Sequence, residues 1–222
     1  MPILAYALDN WDLILRLTGQ HVGLVLTALG AATATGVPLG IALARRPAIA
    51  GAVIGALSAL TTVPSIALFG LLLPILAIVG QGIGPLPAVI AVFLYAQLPI
   101  VRNTVAAISG VDPMLRDAAR GMGMTRRQRL RRVELPLAVP VILAGIRTAL
   151  VTNIGVMTIA AYVGAGGLGV LISRGISQTD PRQLVTGALA VSLLAVLADL
   201  SVLAVQHRLS RRAPVRLEAG HG

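Results

Sequence analysis

Side chains suited to catalysis or metal binding are few in this sequence and lie far apart. The three histidines are His21, His207 and His221, and the chain contains no cysteine. None of these histidines has a nucleophile or further metal ligands at a suitable spacing, so we expect no catalytic site and no metal site. A phosphate-binding loop of the G-x-x-x-x-G-K-[ST] type is excluded because all 18 basic residues are arginine. We therefore expect no bound cofactor, and any energy for work must come from a partner protein.

The most informative polar stretch runs from Val111 to Pro140 and reads VDPMLRDAARGMGMTRRQRLRRVELPLAVP. Asp112 followed by Pro113 predicts the N-cap and the first residue of a helix. The segment Gly121-Met122-Gly123 predicts the end of that helix, because glycine permits the left-handed turn that often terminates helices. A short helix is therefore expected between these two signals.

A second short helix is predicted after this turn. Thr125 and Gln128 have the spacing of a capping box, and the helix should end at Leu135-Pro136, where the next apolar segment begins. Two short helices joined by a glycine turn would form a compact protrusion, with the small Ala118 and Ala119 leaving its surface open to close contact. The alternative is a basic loop that binds anionic lipid head groups, with about 1 kcal/mol from each arginine.

The rest of the sequence, which must position this stretch, is strongly apolar. Of 222 residues, 56% are hydrophobic and 12% are charged, whereas soluble domains carry about 25% charged residues. This composition excludes a disulfide scaffold and a disordered chain, and it indicates an integral membrane protein. The net charge of +10 favours contact with membrane lipid and a cytosolic partner. It does not favour nucleic acid, because the arginines lie between long apolar segments and aromatic residues are scarce.

Apolar segments long enough to cross a bilayer core of about 30 Å are separated by short polar segments. We predict an amphipathic lead-in at residues 1–20, a transmembrane domain at residues 21–206 and a basic cytoplasmic tail at residues 207–222. The second apolar segment is interpreted as one crossing with a kink near Pro64. Five spans are predicted, at about residues 21–44, 48–79, 86–104, 137–161 and 184–206.

Arginine clusters predict the orientation of these spans. Two arginines lie at Arg45 and Arg46, eight lie between Arg102 and Arg132, and four lie beyond residue 207. The positive-inside rule places all three clusters in the cytoplasm. An even number of crossings must then separate Arg46 from Arg102, which is why residues 48–79 are assigned a single crossing. The N-terminus is expected outside, the C-terminus inside, and the loop of residues 111–136 in the cytoplasm.

The segment Asp117-Ala118-Ala119, followed by Gly121 and later by Leu135-Pro136, resembles the EAA loop of permease subunits of bacterial ABC importers. Asp117 stands where that family usually has glutamate, which keeps the charge and shortens the side chain. The resemblance covers roughly residues 22–205. Further segments resemble the branch that imports glycine betaine, carnitine, choline and related osmoprotectants, namely Thr61–Ile75, Pro99–Pro113, Pro140–Gly155 and Gly164–Gly169.

This resemblance implies an all-α, polytopic helix bundle in the cell membrane that is a transporter subunit and not an enzyme. Its EAA-type loop would form a coupling helix that binds a partner ATPase, and ATP would be held by that partner. The other implied partners are a second permease, identical or from a sister gene, and an extracytoplasmic substrate-binding protein. The residues expected to contact the ATPase are Asp117, Ala118, Ala119, Gly121, Met122, Gly123, Leu135 and Pro136.

Polar residues within the spans are candidates for the substrate pathway. Asn153 and Thr158, with Tyr95 behind them, are our pathway predictions, and hydrogen bonding between helices is the alternative for each. Arg147 lies about ten residues into the fourth span. One interpretation is that Arg147 belongs to a gate or a subunit interface. We expect instead that its side chain extends to the cytoplasmic surface or binds free carbonyls near Pro140. The pairs Gly36-x-x-x-Gly40 and Gly51-x-x-x-Gly55 predict close helix packing.

Two other functions remain open at the level of sequence. Permeases for methionine or another small solute share the fold and the EAA loop, so uptake of such a solute is an alternative within the same class. A non-transporting membrane scaffold whose basic loop binds lipid is an alternative from another class. Replacing Gly121 with proline would impair an importer and leave the function of a scaffold intact.

Overall fold

The protein is a bundle of α-helices, as predicted. A computed structural model describes residues 2–210, and no strand occurs among them. The part of the predicted basic tail beyond residue 210 lies outside the described residues. In chain order the helices are α1 (Pro2–Asp9), α2 (Trp11–Leu43), α3 (Pro47–Thr62), α4 (Ser65–Ala77), α5 (Pro85–Ser109), α6 (Pro113–Gly121), α7 (Arg126–Arg129), α8 (Leu135–Ile159), α9 (Gly169–Ser177) and α10 (Pro181–Ser210).

Helices α2, α5 and α8 form the core, with α5 packed against the other two. Small residues make this packing close. A Cβ atom on Gly40 would lie 2.6 Å from the Cβ atom of Thr104 in α5, and one on Gly36 would lie 2.9 Å from Cγ2 of Ile100. The predicted packing role of Gly36 and Gly40 is therefore confirmed. Gly51 and Gly55 in α3 have no neighbouring atom within 4 Å of such a Cβ position, so within this chain they do not pack closely.

Within residues 2–210, four continuous helical segments are long and apolar enough to cross a membrane. A fifth crossing results if the bent pair α3–α4 counts as one span, in agreement with the predicted number. The two helices meet at an angle of 95°, and the break falls at Val63 and Pro64, as the sequence indicated. A proline removes one backbone donor and cannot continue a helix from the preceding turn without distortion. The predicted orientation, with the N-terminus outside, stays a prediction.

The first long helix begins earlier than the predicted first span. Helix α2 starts at Trp11, so half of the expected lead-in belongs to it, while α1 is a separate short helix. At the junction, the Asn10 side-chain amide donates to the carbonyl of Tyr6 at 2.9 Å. The extra turns of α2 are held by packing, because Ile14 and Leu17 form an apolar cluster with residues near α9. Sequence hydropathy cannot show this contact.

The connection from α8 to α10, which includes a glycine-rich loop before α9, is folded against the bundle. Gly164, Gly166 and Gly167 all have positive φ values between 76° and 83°, a region that costs other residues energy. Leu168 is fully buried. Asp180 accepts hydrogen bonds from the backbone and side chain of Arg182 at the start of α10, and these bonds lower the pKa of its carboxyl to about 2.

Candidate functional site

The first helix of the loop of residues 111–136 begins and ends where its sequence predicts. The side chain of Asp112 accepts a hydrogen bond from the backbone of Met114 at 2.8 Å, which satisfies one of the free N–H groups at the start of α6. Helix α6 ends at Gly121. Only Gly123 adopts the left-handed conformation, with φ +74°, so the turn depends on this glycine and not on Gly121.

The second helix is capped as predicted. The Thr125 hydroxyl accepts from the backbone N–H of Gln128 at 3.3 Å, and the Gln128 side chain accepts from the backbone of Thr125 at 2.8 Å. The predicted end of this helix at Leu135-Pro136 is wrong. A π-helical turn, Leu130–Glu134, joins α7 directly to α8, so the helix is continuous through residue 163. Pro136 fits because it lies in the first turn of α8 and the wider preceding turn does not need its N–H group.

One face of α6 is exposed and carries small or flexible apolar side chains. Met114, Ala118 and Met122 follow one another at intervals of four residues, and all three are exposed. Ala119, in contrast, is buried, so the two alanines of the motif have different surroundings. The Asp117 side chain is exposed and pairs with Arg120 at 3.1 Å. This face offers a smooth, adaptable surface of the kind that methionine provides at protein contacts.

The remaining predicted contact residues lie at the end of α6, in the turn after it and at the start of α8. Gly121 and Gly123 are exposed, whereas Leu135 is half-buried and Pro136 is exposed at the start of α8. The loop is fixed to the bundle at its first helix, because Arg116 Nη2 donates to the carbonyls of Ile108 and Ser109 at the end of α5, at 2.6 and 2.9 Å. Most of the predicted contact residues therefore lie on α6 and the turn after it, whereas Leu135 and Pro136 lie at the start of α8.

A buried carboxylate fixes the other side of the loop. Glu134 is 4% exposed and lies at the end of the π-helical turn. It accepts a hydrogen bond from Arg129 Nε at 2.8 Å, and Arg45 Nη2 lies 3.9 Å from its other oxygen. Sequence reasoning missed this residue, although it is the only acidic residue between Thr125 and Asp180.

A polar cavity lies between the α3–α4 break, α5 and α8. Its volume is about 670 Å³. Hydroxyl and amide groups make up most of its polar wall, and Arg102 is the single charged residue there. The polar wall consists of Thr61, Thr62, Ser65, Tyr95, Arg102, Asn103, Thr148, Thr152 and Asn153.

Two of the three predicted pathway residues share this cavity. Tyr95 donates a hydrogen bond to the carbonyl of Val63 at the helix break, at 2.5 Å. Asn153 is 1% exposed, and its Oδ1 atom accepts no hydrogen bond within the described part of the chain. Thr158 is not part of the cavity wall, and its hydroxyl donates to the carbonyl of Gly155 at 2.7 Å. The structure thus brings Tyr95 and Asn153 together and leaves Thr158 apart.

Arg147 forms a bidentate ion pair with Asp199 of α10. Its Nε and Nη2 atoms donate to the two carboxylate oxygens at 2.5 and 2.6 Å. Our expectation that it extends to the surface or binds carbonyls near Pro140 is therefore wrong. The Pro140 carbonyl accepts instead from Gln206 Nε2, at 3.1 Å. A charged group at this depth needs a partner of opposite charge, and the partner lies 52 residues away in sequence.

Comparison with known proteins identifies the family. The family described as the binding-protein-dependent transport system inner membrane component matches residues 36–213. The chain belongs to this family. It is therefore a multi-pass inner-membrane permease of an ABC importer. Permeases of this kind work with an ATPase subunit, which hydrolyses ATP, and with a substrate-binding protein.

Several relatives match the permease over nearly its whole length. It is 55% identical to the osmoprotectant import permease protein OsmW of Salmonella typhimurium, with 90% of this chain and 93% of the relative covered. It is 40% identical to the glycine betaine/carnitine/choline transport system permease protein OpuCB of Bacillus subtilis, with 93% and 92% covered. The carnitine transport permease protein OpuCB of Listeria monocytogenes is 41% identical, with 95% and 94% covered.

Solved structures confirm the fold of the permease. A chain of the inward-facing MetNI methionine ABC transporter superposes with a TM-score of 0.81 at 24% identity, covering 90% of the permease and 98% of that chain. An amino acid ABC transporter solved with histidines gives a TM-score of 0.70 at 19% identity, with 94% and 98% covered. At these identities the similarity establishes the helix arrangement and says nothing about the transported solute.

Proposed function

We propose that this permease imports osmoprotectants such as glycine betaine, carnitine or choline, and that a partner ATPase drives the import. The observation that carries the proposal is the 55% identity to an osmoprotectant import permease over 90% of the chain. Relatives named for carnitine, choline and glycine betaine match at 37% identity or more over at least 93% of the chain.

The cavity is suited to such solutes. Its wall is mainly hydroxyl, amide and apolar, so a small zwitterion or cation could exchange part of its hydration shell for these groups. Tyr95 is the single aromatic residue in the wall, whereas tight binding of a quaternary ammonium group uses several aromatic rings. The cavity therefore supports a low-affinity passage, and selection is assigned to the substrate-binding protein.

The exposed face of α6 is the proposed contact with the ATPase. This face would enter a groove of the ATPase through Met114, Ala118 and Met122. When ATP binding closes the ATPase dimer, the loop would transfer that movement to α5 and α8. Two permeases, identical or from sister genes, would lie above two ATPase subunits. This arrangement requires the loop of residues 111–136 to lie in the cytoplasm.

Uptake competition tests the proposed solute class. The importer is reconstituted in proteoliposomes with its ATPase and substrate-binding protein, and uptake of radiolabelled glycine betaine is measured. Excess unlabelled carnitine or choline should reduce the uptake, whereas excess methionine should not. Uptake of methionine in place of glycine betaine would favour the alternative cargo that MetNI carries by name.

Replacing Ala118 with arginine tests the proposed ATPase contact. The bulky charge would block close approach at an exposed small residue, so uptake should be abolished while membrane insertion is unchanged. Replacing Gly121 with aspartate should have the same effect. The control is Arg46→Glu, which places a different charge at an exposed position of the α2–α3 turn. Normal uptake in both loop variants would contradict the proposed contact and show that this face of α6 does not couple the permease to the ATPase.

A further inference from the structure

Two segments that are distant in sequence, the loop of residues 111–136 and the α2–α3 turn, meet at the carboxylate of Glu134. Glu134 ends the π-helical turn, Arg129 belongs to α7, and Arg45 lies in the turn of residues 44–46 between α2 and α3. Arg129 donates to one carboxylate oxygen at 2.8 Å, and Arg45 Nη2 lies 3.9 Å from the other. The loop that contacts the ATPase is thereby connected to the start of α3 by side chains alone.

This cluster differs from the rest of the basic loop. The side chains of Arg129 and Glu134 are 12% and 6% exposed, whereas Arg127 and Arg131 are exposed to solvent. Removing two charges from water costs free energy that their attraction does not fully return, so a buried ion pair is poorly explained by stability alone. The pair also lies at a π-helical turn, a rare feature that is frequently found at functional sites.

Helix α3 joins the Glu134–Arg45 contact at one end to the polar cavity at the other. Helix α3 begins two residues after Arg45 and ends at Thr62. Thr61 and Thr62 line the polar cavity together with the helix break at Val63 and Pro64. Helix α3 is one continuous element of 16 residues. A displacement of its first turn therefore reaches the cavity wall at its other end.

We propose that Glu134 is a positioning residue that transmits movement of the coupling loop, through Arg45, to α3 and the cavity wall. This route acts in addition to the direct covalent route from the loop into α8. The inference rests on the proposed coupling to an ATPase, because it assigns a path to the movement that the ATPase would cause.

The test separates ATP hydrolysis from transport in the reconstituted importer. Arg45→Gln removes the charge from a half-exposed side chain, so the fold should be retained. We expect glycine betaine uptake per ATP hydrolysed to fall about fivefold or more, the usual range for coupling between sites. Glu134→Gln should give the same loss. The double variant should be no worse than either single variant, because both substitutions interrupt one connection. Arg45→Lys keeps the charge and should restore most of the coupling.

Controls distinguish this inference from a purely structural role. Arg46→Gln changes the neighbouring exposed arginine of the same turn, and Arg131→Gln changes an exposed arginine of the π-helical turn. Both should leave the ratio of uptake to hydrolysis unchanged. If Arg45→Gln and Glu134→Gln lower uptake and hydrolysis in proportion to the amount of assembled importer, the role is structural and the inference is wrong. If both variants couple normally while Ala118→Arg does not transport, the inference fails and the proposed function stands.

Discussion

Arg147 and Asp199 satisfy each other's charge near the middle of two long helices. An ionised side chain at membrane depth is costly unless it is paired or hydrated, and this pair joins α8 to α10 by two hydrogen bonds. The sequence indicated that an arginine at position 147 requires a partner within the membrane. It could not identify Asp199 as that partner, because the two residues are 52 positions apart with no regular spacing between them. Glu134 has one local partner, Arg129, five residues before it, and one distant partner, Arg45, in the α2–α3 turn. The contact with Arg45 and the burial of Glu134 depend on how the helices pack, which local sequence does not encode.

Breaking the Arg147–Asp199 pair should destabilise the permease. Asp199→Asn leaves an arginine without a counter-charge between α8 and α10, so the melting temperature of the detergent-solubilised protein should fall. Arg147→Leu should have a similar effect, because it leaves the carboxylate alone. The double variant Arg147→Leu/Asp199→Leu should recover much of the loss, since no isolated charge remains. A double variant less stable than both single variants would contradict this explanation.

At the level of elements, local signals were sufficient to predict the helix caps in the loop of residues 111–136. Asp112, Thr125 and Gln128 form the predicted caps, because capping depends on residues within four positions of one another. The sequence did not reveal the π-helical turn that connects this loop to α8. A wider turn depends on how the two flanking helices are held, and Leu135-Pro136 alone looks like an ordinary helix boundary. Local caps were thus predictable, and the continuity of the long helix was not.

Gly123 and Gly121 should respond differently to alanine. Gly123 has φ +74°, where a Cβ atom costs about 1–2 kcal/mol, so Gly123→Ala should loosen the turn between α6 and α7. Gly121 lies in the helix with nothing close to its Cβ position, so Gly121→Ala should be neutral or slightly stabilising. Hydrogen exchange of the loop amides measures the difference. Equal exchange rates in the two variants would show that the left-handed turn does not limit the stability of the loop.

For the whole molecule, hydropathy predicted the membrane class and the apolar segments that form the four long helices and the bent pair α3–α4, because a bilayer fixes the length of any apolar segment that crosses it. The position of the break in the second span also followed from Pro64. Its angle of 95° did not, since proline permits a range of bends and packing against α5 selects one. The cavity was only partly predictable. Tyr95 and Asn153 are polar residues inside spans, but the contribution of Thr61 and Thr62 depends on where that bend directs α3.

The close contact between α2 and α5 should not accommodate a larger side chain at Gly40. A Cβ atom on Gly40 would meet Thr104 at 2.6 Å, so Gly40→Val should prevent the normal packing of the core and lower the yield of folded protein. Gly30→Val is the control, because it introduces the same side chain in α2 with no atom within 4 Å. Size-exclusion chromatography of the solubilised variants measures the folded fraction. A normal elution profile for Gly40→Val would show that the two helices can separate without loss of the fold.

The cavity wall offers few specific binding groups, and this bears on how the set of imported solutes could change. As proposed, this cavity is the passage, and its threonine hydroxyls and asparagine amides distinguish poorly between one small hydrophilic molecule and another. Uptake of a new solute would then require changes in the substrate-binding protein, which acts as the receptor, and none in the permease. Lineages that diverge in what they accumulate would accordingly differ more in that receptor than along the inner surface of Thr61, Asn103 and Asn153.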